Sequence, residues 1–141
     1  MPEDKIVSHA KVGIIGGGIM GVSLLYHLAK EGWKDLVLLE KGELTSGSTW
    51  HAAGQCPHFV GSYNLAKVHH HSTELYKKLE QETGQATGWH GCGSLRLAYK
   101  QEDLEWFHYV KGILDNVGSP AKIISTQEIP KIHPFIKSNG I

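Results

Sequence analysis

Lys11-Val12-Gly13-Ile14-Ile15-Gly16-Gly17-Gly18-Ile19-Met20-Gly21 is the stretch whose reading decides the fold. Its first half is a short apolar run that ends in glycine, which reads as a parallel strand buried on both faces over 11–16. Its second half is a G-x-G-x-x-G turn, with each glycine assigned a separate task. Gly16 permits the tight turn off the strand. Gly18, lacking a Cβ, lets a pyrophosphate approach the backbone. Gly21 lets the following helix pack close to the sheet. Phosphate would then rest on the free N–H groups and positive end of that helix, beside Ile19 and Met20.

Such a turn alone is weak evidence, so its surroundings matter. A helix is expected over 19–31, with Val22, Leu25, Leu28 and Ala29 on one side and Gly32 as its stop. Asp35-Leu36-Val37-Leu38-Leu39-Glu40 then reads as a second buried strand. Strand, glycine turn, helix and strand make a βαβ unit, so the fold class is α/β, the N-terminal part of a Rossmann-like dinucleotide-binding domain. Glu40 closes the second strand, 19 positions after Gly21. An acid there accepts hydrogen bonds from an adenosine ribose and disfavours a 2′-phosphate, which argues against NADP. The fingerprint does not choose between NAD and FAD.

Beyond Glu40, residues 41–61 show no sustained periodicity, and irregular stretches of that length are usually functional or disordered. A helix follows over 64–82, with Leu65, Val68, Ser72, Leu75 and Leu79 at helical spacing and Gly84 as its cap. Residues 93–99 alternate as a strand, with Leu95 and Leu97 on one face. A helix over 102–117 carries Leu104, Phe107, Val110, Lys111 and Leu114, and Gly118 and Pro120 end it. Residues 121–124 read as a short strand. Ser125 to Glu128 has capping-box spacing and opens a last helical turn, broken by Pro134. The later elements read as the start of a mixed α+β substrate-side layer. The division is an N-terminal tail over 1–10 and a partial domain over 11–141.

Composition narrows the function. Lys plus Arg and Asp plus Glu are 14 each among 141 residues, so there is no basic excess of the kind nucleic-acid or membrane-surface binding uses. No run approaches the ~18 apolar residues of a membrane span. Cys56 and Cys92 are too few for a disulfide framework. The first ten residues fit neither a signal peptide nor a transit peptide, which makes the cytoplasm the default compartment. His69-His70-His71 are consecutive on a helix, point different ways and cannot converge on one metal ion. His58 is an ordinary loop histidine unless it faces an active site. Arg96, the sole arginine, reads as an outward strand residue rather than a carboxylate clamp. Trp106, Phe107 and Tyr109 read as packing.

The irregular stretch contains Leu44-Thr45-Ser46-Gly47-Ser48-Thr49-Trp50-His51-Ala52-Ala53-Gly54. Together with Gly16-Gly17-Gly18 and Leu38-Leu39-Glu40-Lys41, this loop resembles the dimethylglycine dehydrogenase and sarcosine dehydrogenase family. That family lies within the D-amino-acid-oxidase-like flavoproteins. The likeness continues through Leu79 to Gly84 and Gly91 to Ala98, covering nearly everything from Lys11 onward. The resemblance implies FAD, joined covalently to His51, the histidine of the Ser/Thr-Thr-Trp-His motif. Neutral imidazole is a nucleophile near neutral pH. The tether would prevent cofactor loss, and an electron-withdrawing substituent would make the flavin a stronger oxidant. The cofactor-binding set is then Gly16, Gly18, Ile19, Met20, Gly21, Glu40, Lys41, Ser48, Thr49, His51, Ala53 and Gly54.

Further implications of the resemblance concern the whole reaction. Hydride leaves the N-methyl carbon of dimethylglycine or sarcosine for flavin, and the iminium is hydrolysed or passes its one-carbon unit to tetrahydrofolate. Electrons go to an electron-transfer flavoprotein, in the mitochondrial matrix if the source is eukaryotic. Tetrahydrofolate would bind a C-terminal half beyond residue 141. A chain ending at Ile141 is therefore expected to be an N-terminal fragment, marginally stable and inactive alone, with an unpaired strand edge. No catalytic residue is legible. Two alternatives stay open. One is a non-enzymatic relative of the pyruvate dehydrogenase phosphatase regulatory subunit type. The other is a plain NAD-binding module.

Overall fold

A computed structural model describes residues 8–119 and 121–141. Residues 1–7 of the expected tail, and Pro120 with its helix-ending role, lie outside the described residues. The chain divides into two compact units, one ending at Gln55 and the other running from Cys56 to Ile141.

The first unit is the βαβ element. Strand β1 (Val12–Ile15) is followed by helix α1 (Ile19–Lys30) and strand β2 (Leu36–Leu39). β1 and β2 pair in parallel with Val12 opposite Leu36 and Ile15 opposite Leu39. α1 ends as Gly32 enters the left-handed region and donates its N–H to the Ala29 carbonyl, while Trp33 N–H reaches the Leu28 carbonyl. α1 packs on both strands, and Ile14 is buried. The strands differ from expectation in being covered on one face only. Ile15 is 89% and Leu39 56% exposed, since within the first unit α1 packs on the opposite face. α1 itself buries no residue fully: of its expected apolar stripe, Leu25 and Leu28 are half-buried while Val22 and Ala29 are exposed. The sheet has two strands, which gives β1 one neighbour among the described residues.

The second unit is helical. Helix α2 (Tyr63–Thr83) packs on helix α3 (Gln101–Val117), and the short helix α4 (Ile129–Ile132) follows. Gly84 and Gly118 close α2 and α3 in the left-handed conformation, as expected. The core joins Ala66, Val110 and Leu114, with Phe59, Val60, Ile113, Val117 and Ala121 against it. Burial of Val110 and Leu114 stabilises this unit by roughly 1.5–3 kcal/mol each. The expected faces meet different fates. Of the stripe expected on α3, Val110 and Leu114 are buried and Leu104, Phe107 and Lys111 half-buried. α2 is turned by about one residue, burying Ala66 and Thr73 while Leu65 and Val68 stay 51% and 59% exposed. The reason is polar. Thr73 accepts or donates a hydrogen bond with His58 Nε2 at 2.5 Å, and His70 Nδ1 meets Ser119 Oγ at 3.1 Å. These bonds satisfy buried hydroxyls that a purely apolar pattern leaves out.

Two expected strands do not form. Residues 93–99 and 121–124 carry no ladder among the described residues. Leu95 and Leu97 still alternate with exposed Arg96, so the period-2 pattern is real, but a strand needs a neighbour to bond. At Ser125 the expected capping box is half made. Glu128 accepts from Ser125 N–H at 2.8 Å, and the Ser125 hydroxyl also donates to that carboxylate.

Candidate functional site: the glycine turn and its loop

The turn after β1 is built from backbone. Gly16 donates its N–H to the Leu39 carbonyl at 2.8 Å, and its φ of +107° is a conformation L side chains rarely adopt. Gly18 is the N-cap of α1 and has no side chain with which to cap it. A Cβ on Gly21 would overlap the Gly16 carbonyl oxygen and stand 3.3 Å from Ile14 Cγ2. The helix therefore approaches the strand as closely as it does only because position 21 carries hydrogen.

Glu40 fastens this turn from the end of β2. Gly17 N–H donates to Oε2 at 2.6 Å and Gly42 N–H to Oε1 at 3.0 Å. These two bonds in that order, with help from the Lys41 N–H and ammonium, hold the carboxyl below the usual carboxylate range against a smaller opposing desolvation. A carboxylate has about four acceptor positions, so Glu40 keeps capacity for ribose hydroxyls beside its structural bonds.

The loop after β2 returns to the same place. Ile19 N–H donates to Thr49 Oγ1 at 2.9 Å, and Thr45 N–H to the Gly17 carbonyl at 2.9 Å. Val22 N–H finds the Gly18 carbonyl at 3.0 Å. Met20 and Gly21, in the first turn, have no helical acceptor for their N–H groups. Those two amides, at the positive end of α1, suit an anion such as pyrophosphate. A Cβ on Gly18 would press to 3.1 Å from Thr49 Oγ1, so the cradle is open only with glycine there. The residues present fit a dinucleotide.

His51 is exposed on a compact turn. Its Nδ1 lies 3.0 Å from the Gly47 carbonyl oxygen. A carbonyl only accepts, so Nδ1 carries a proton, and Nε2 is the ring nitrogen left to offer a lone pair. Ser48, Ala53, Gly54 and Lys41 are exposed on the same loop, with Gly54 at φ +68°. All the sequence-selected cofactor residues thus fall in the first unit. His58 and Arg96 fall in the second. His58 is tied to Thr73, and the Arg96 guanidinium lies over the Phe59 ring at 5.4 Å. No group of three or more metal-ligating side chains occurs among the described residues.

Sequence reasoning missed Thr45 and Leu44. Thr45 sits at φ +66° and contributes a backbone N–H; Leu44 Cδ2 lies where a Cβ on Gly17 would come within 2.6 Å. The Thr45 contribution is made by the main chain, so its residue type carried no signal.

Residues 11–141 match the FAD dependent oxidoreductase (DAO) family. The chain belongs to that family. Within this flavoprotein family it is 47% identical over 140 residues to the mitochondrial dimethylglycine dehydrogenase of Rattus norvegicus, covering 99% of this chain and 16% of that protein. It is 43% identical over 134 residues to the mitochondrial pyruvate dehydrogenase phosphatase regulatory subunit of Mus musculus, covering 95% of this chain and 15% of that protein. Its fold matches the crystal structure of L-proline dehydrogenase from P. horikoshii with a TM-score of 0.82 and 27% identity, over 96% of this chain and 36% of that one. The chain therefore spans about one sixth of the length of these curated relatives. The family match resolves the choice between NAD and FAD that the glycine fingerprint left open. No described helix is long and apolar enough to cross a membrane.

Proposed function

We propose that this chain carries the cofactor grip of an FAD-dependent dehydrogenase of N-methylated glycines, dimethylglycine or sarcosine. The observation that carries the reading is the placing of the glycine turn, Glu40 and the His51 loop in one unit, laced by Glu40 and Thr49. Met20 and Gly21 N–H groups bind the pyrophosphate at the start of α1. Glu40 accepts from the adenosine ribose with the lone pairs its backbone bonds leave free. The Thr49 hydroxyl, whose oxygen already accepts from Ile19, keeps its own proton for a phosphate oxygen. His51 presents Nε2 as the nitrogen that carries a covalent tether. Bound FAD supplies the redox chemistry, accepting hydride from the N-methyl carbon of the substrate. Ser48, Ala53 and Gly54 share the exposed loop with His51, and Lys41 adds positive charge beside Glu40.

The wider assignments rest on the family likeness: electron-transfer flavoprotein as electron acceptor, tetrahydrofolate as one-carbon acceptor bound outside residues 11–141, and the mitochondrial matrix in a eukaryote or the cytoplasm otherwise. A second reading, a non-enzymatic regulator, has one observation in its favour, the 43% identity to the phosphatase regulatory subunit. A regulator has no use for a nucleophile held for attachment, and His51 favours the dehydrogenase. The deciding experiment is the denatured intact mass of the protein from its native source. A mass increased by one FAD, mapped to the peptide holding His51, supports the proposal. A flavin-free mass, with flavin absent from the native protein as well, refutes it.

A further inference from the structure

We infer that Thr49 is a positioning residue for flavin attachment, holding His51 in register with the phosphate grip before the cofactor arrives. The inference rests on the reading of His51 as the flavin tether. α1 begins at Ile19, and its N-cap residue Gly18 offers no capping oxygen. Its cap comes instead from Thr49 Oγ1, 30 residues later in the chain and 2.9 Å from Ile19 N. Between Lys41 and Gln55 every residue is exposed except Thr49, so this one side chain anchors an otherwise solvent-facing loop.

The backbone around Thr49 turns that anchor into a fixed place for His51. Trp50 N–H reaches the Thr45 and Gly47 carbonyls at 3.0 and 3.1 Å, and Ala52 N–H the Thr49 carbonyl at 3.3 Å. The His51 ring is held to the Gly47 carbonyl. Thr45 N–H on the Gly17 carbonyl provides the second attachment to the glycine turn. Without the Thr49 cap one of two anchors is gone, and the imidazole searches a wider volume. Attachment is an intramolecular reaction once FAD is bound, so its rate follows that positioning.

In the attachment step His51 Nε2 forms a bond to the flavin 8α carbon. That carbon loses one C–H proton and the imidazole loses the proton on Nδ1. The two electrons left behind pass through the flavin ring to a two-electron acceptor, dioxygen or the acceptor that serves turnover.

The test uses the full-length apoprotein mixed with saturating FAD, following covalent flavin by acid-stable fluorescence while FAD affinity is measured separately. Thr49→Val loses its phosphate contact and binds FAD more weakly, yet even at saturating FAD it is expected to attach the cofactor at least about fivefold more slowly, the equivalent of one lost helix cap. Thr49→Ser, which keeps the hydroxyl, is expected to restore the rate. An unchanged rate in Thr49→Val overturns the inference. Weaker FAD binding in Thr49→Val with a normal attachment rate at saturating FAD also overturns it and leaves Thr49 a phosphate contact alone. Wild-type protein that binds FAD without attaching it overturns the tether reading of His51 itself, separately from the role of Thr49.

Discussion

Gly21→Ala tests whether the close approach of α1 to β1 makes the phosphate grip. A methyl at position 21 would overlap the Gly16 carbonyl oxygen and sit 3.3 Å from Ile14 Cγ2. The first neighbour is backbone and cannot swing away, and the second belongs to the buried residue of β1. Carbon–carbon contacts are comfortable only at about 3.5–4.0 Å, so the helix must retreat from the turn it caps. Overpacking of this kind costs roughly 1–3 kcal/mol, and a rigid carbonyl places this site at the upper end. The Met20 and Gly21 amides move with the helix, so FAD binding suffers along with stability. A loss of about 2–3 kcal/mol is a roughly 30- to 150-fold weaker FAD affinity. The assay is titration of full-length apoprotein with FAD, read by flavin fluorescence, beside a thermal melt. Gly47→Ala is the control, because a Cβ there meets nothing within 4 Å. Gly21→Ala protein that binds FAD within about threefold of wild type and melts like the control would refute the reasoning, since overpacked sites do not behave so.

Other expectations follow from the same geometry. Glu40→Gln weakens FAD binding at neutral pH, measured by the same titration. Because Gly17 and Gly42 N–H groups hold the Glu40 carboxyl low, its contribution is whole above the free carboxylate value of about 4.3 and is lost as pH falls through the lower folded value; the Gln variant should lack that acid step. Leu114→Ala empties the α2–α3 core, where Leu114 is 4% exposed, and should destabilise the helical unit by about 2–5 kcal/mol in denaturant unfolding. His58 is held below the ordinary histidine value by burial first, then by His70 and Lys77. The unfolded chain therefore takes up the proton first, and stability declines as pH drops below about 6.5. His58→Gln should flatten the thermal-melt profile between neutral and mildly acid pH, and an unchanged slope would count against a neutral buried His58.

The glycine turn was legible because its chemistry is local. Gly16, Gly18 and Gly21 are demanded by steric limits that no other residue meets, and an apolar strand on either side supplies the context. The loop was legible only in part. His51 stood out through a motif, but the lacing of Thr45 to Gly17 and of Thr49 to Ile19 depends on where the loop returns in space. α2 misled for a related reason. Leu65 and Val68 look like core residues, yet Thr73 and His70 take the inward side because hydroxyl and imidazole partners wait there. Residues 93–99 alternate like a strand and still form none, since alternation describes a surface and not the neighbour that must bond to it.

The short reach of the grip bears on how such a protein is made. Its longest hydrogen bond, from Ile19 to Thr49, spans 30 residues, and the bond from Gly17 to Glu40 spans 23. The closure cost grows only logarithmically with loop length, and both bonds lie within the first unit. During synthesis the nucleotide cradle can assemble as soon as this stretch leaves the ribosome, before most of the helical unit exists. The outer edge of β1 emerges at the same moment, with no strand paired to it among the described residues and Ile15 exposed. An open edge of that kind templates aggregation until something covers it. Early cofactor capture and early vulnerability are thus two results of the same compact βαβ turn.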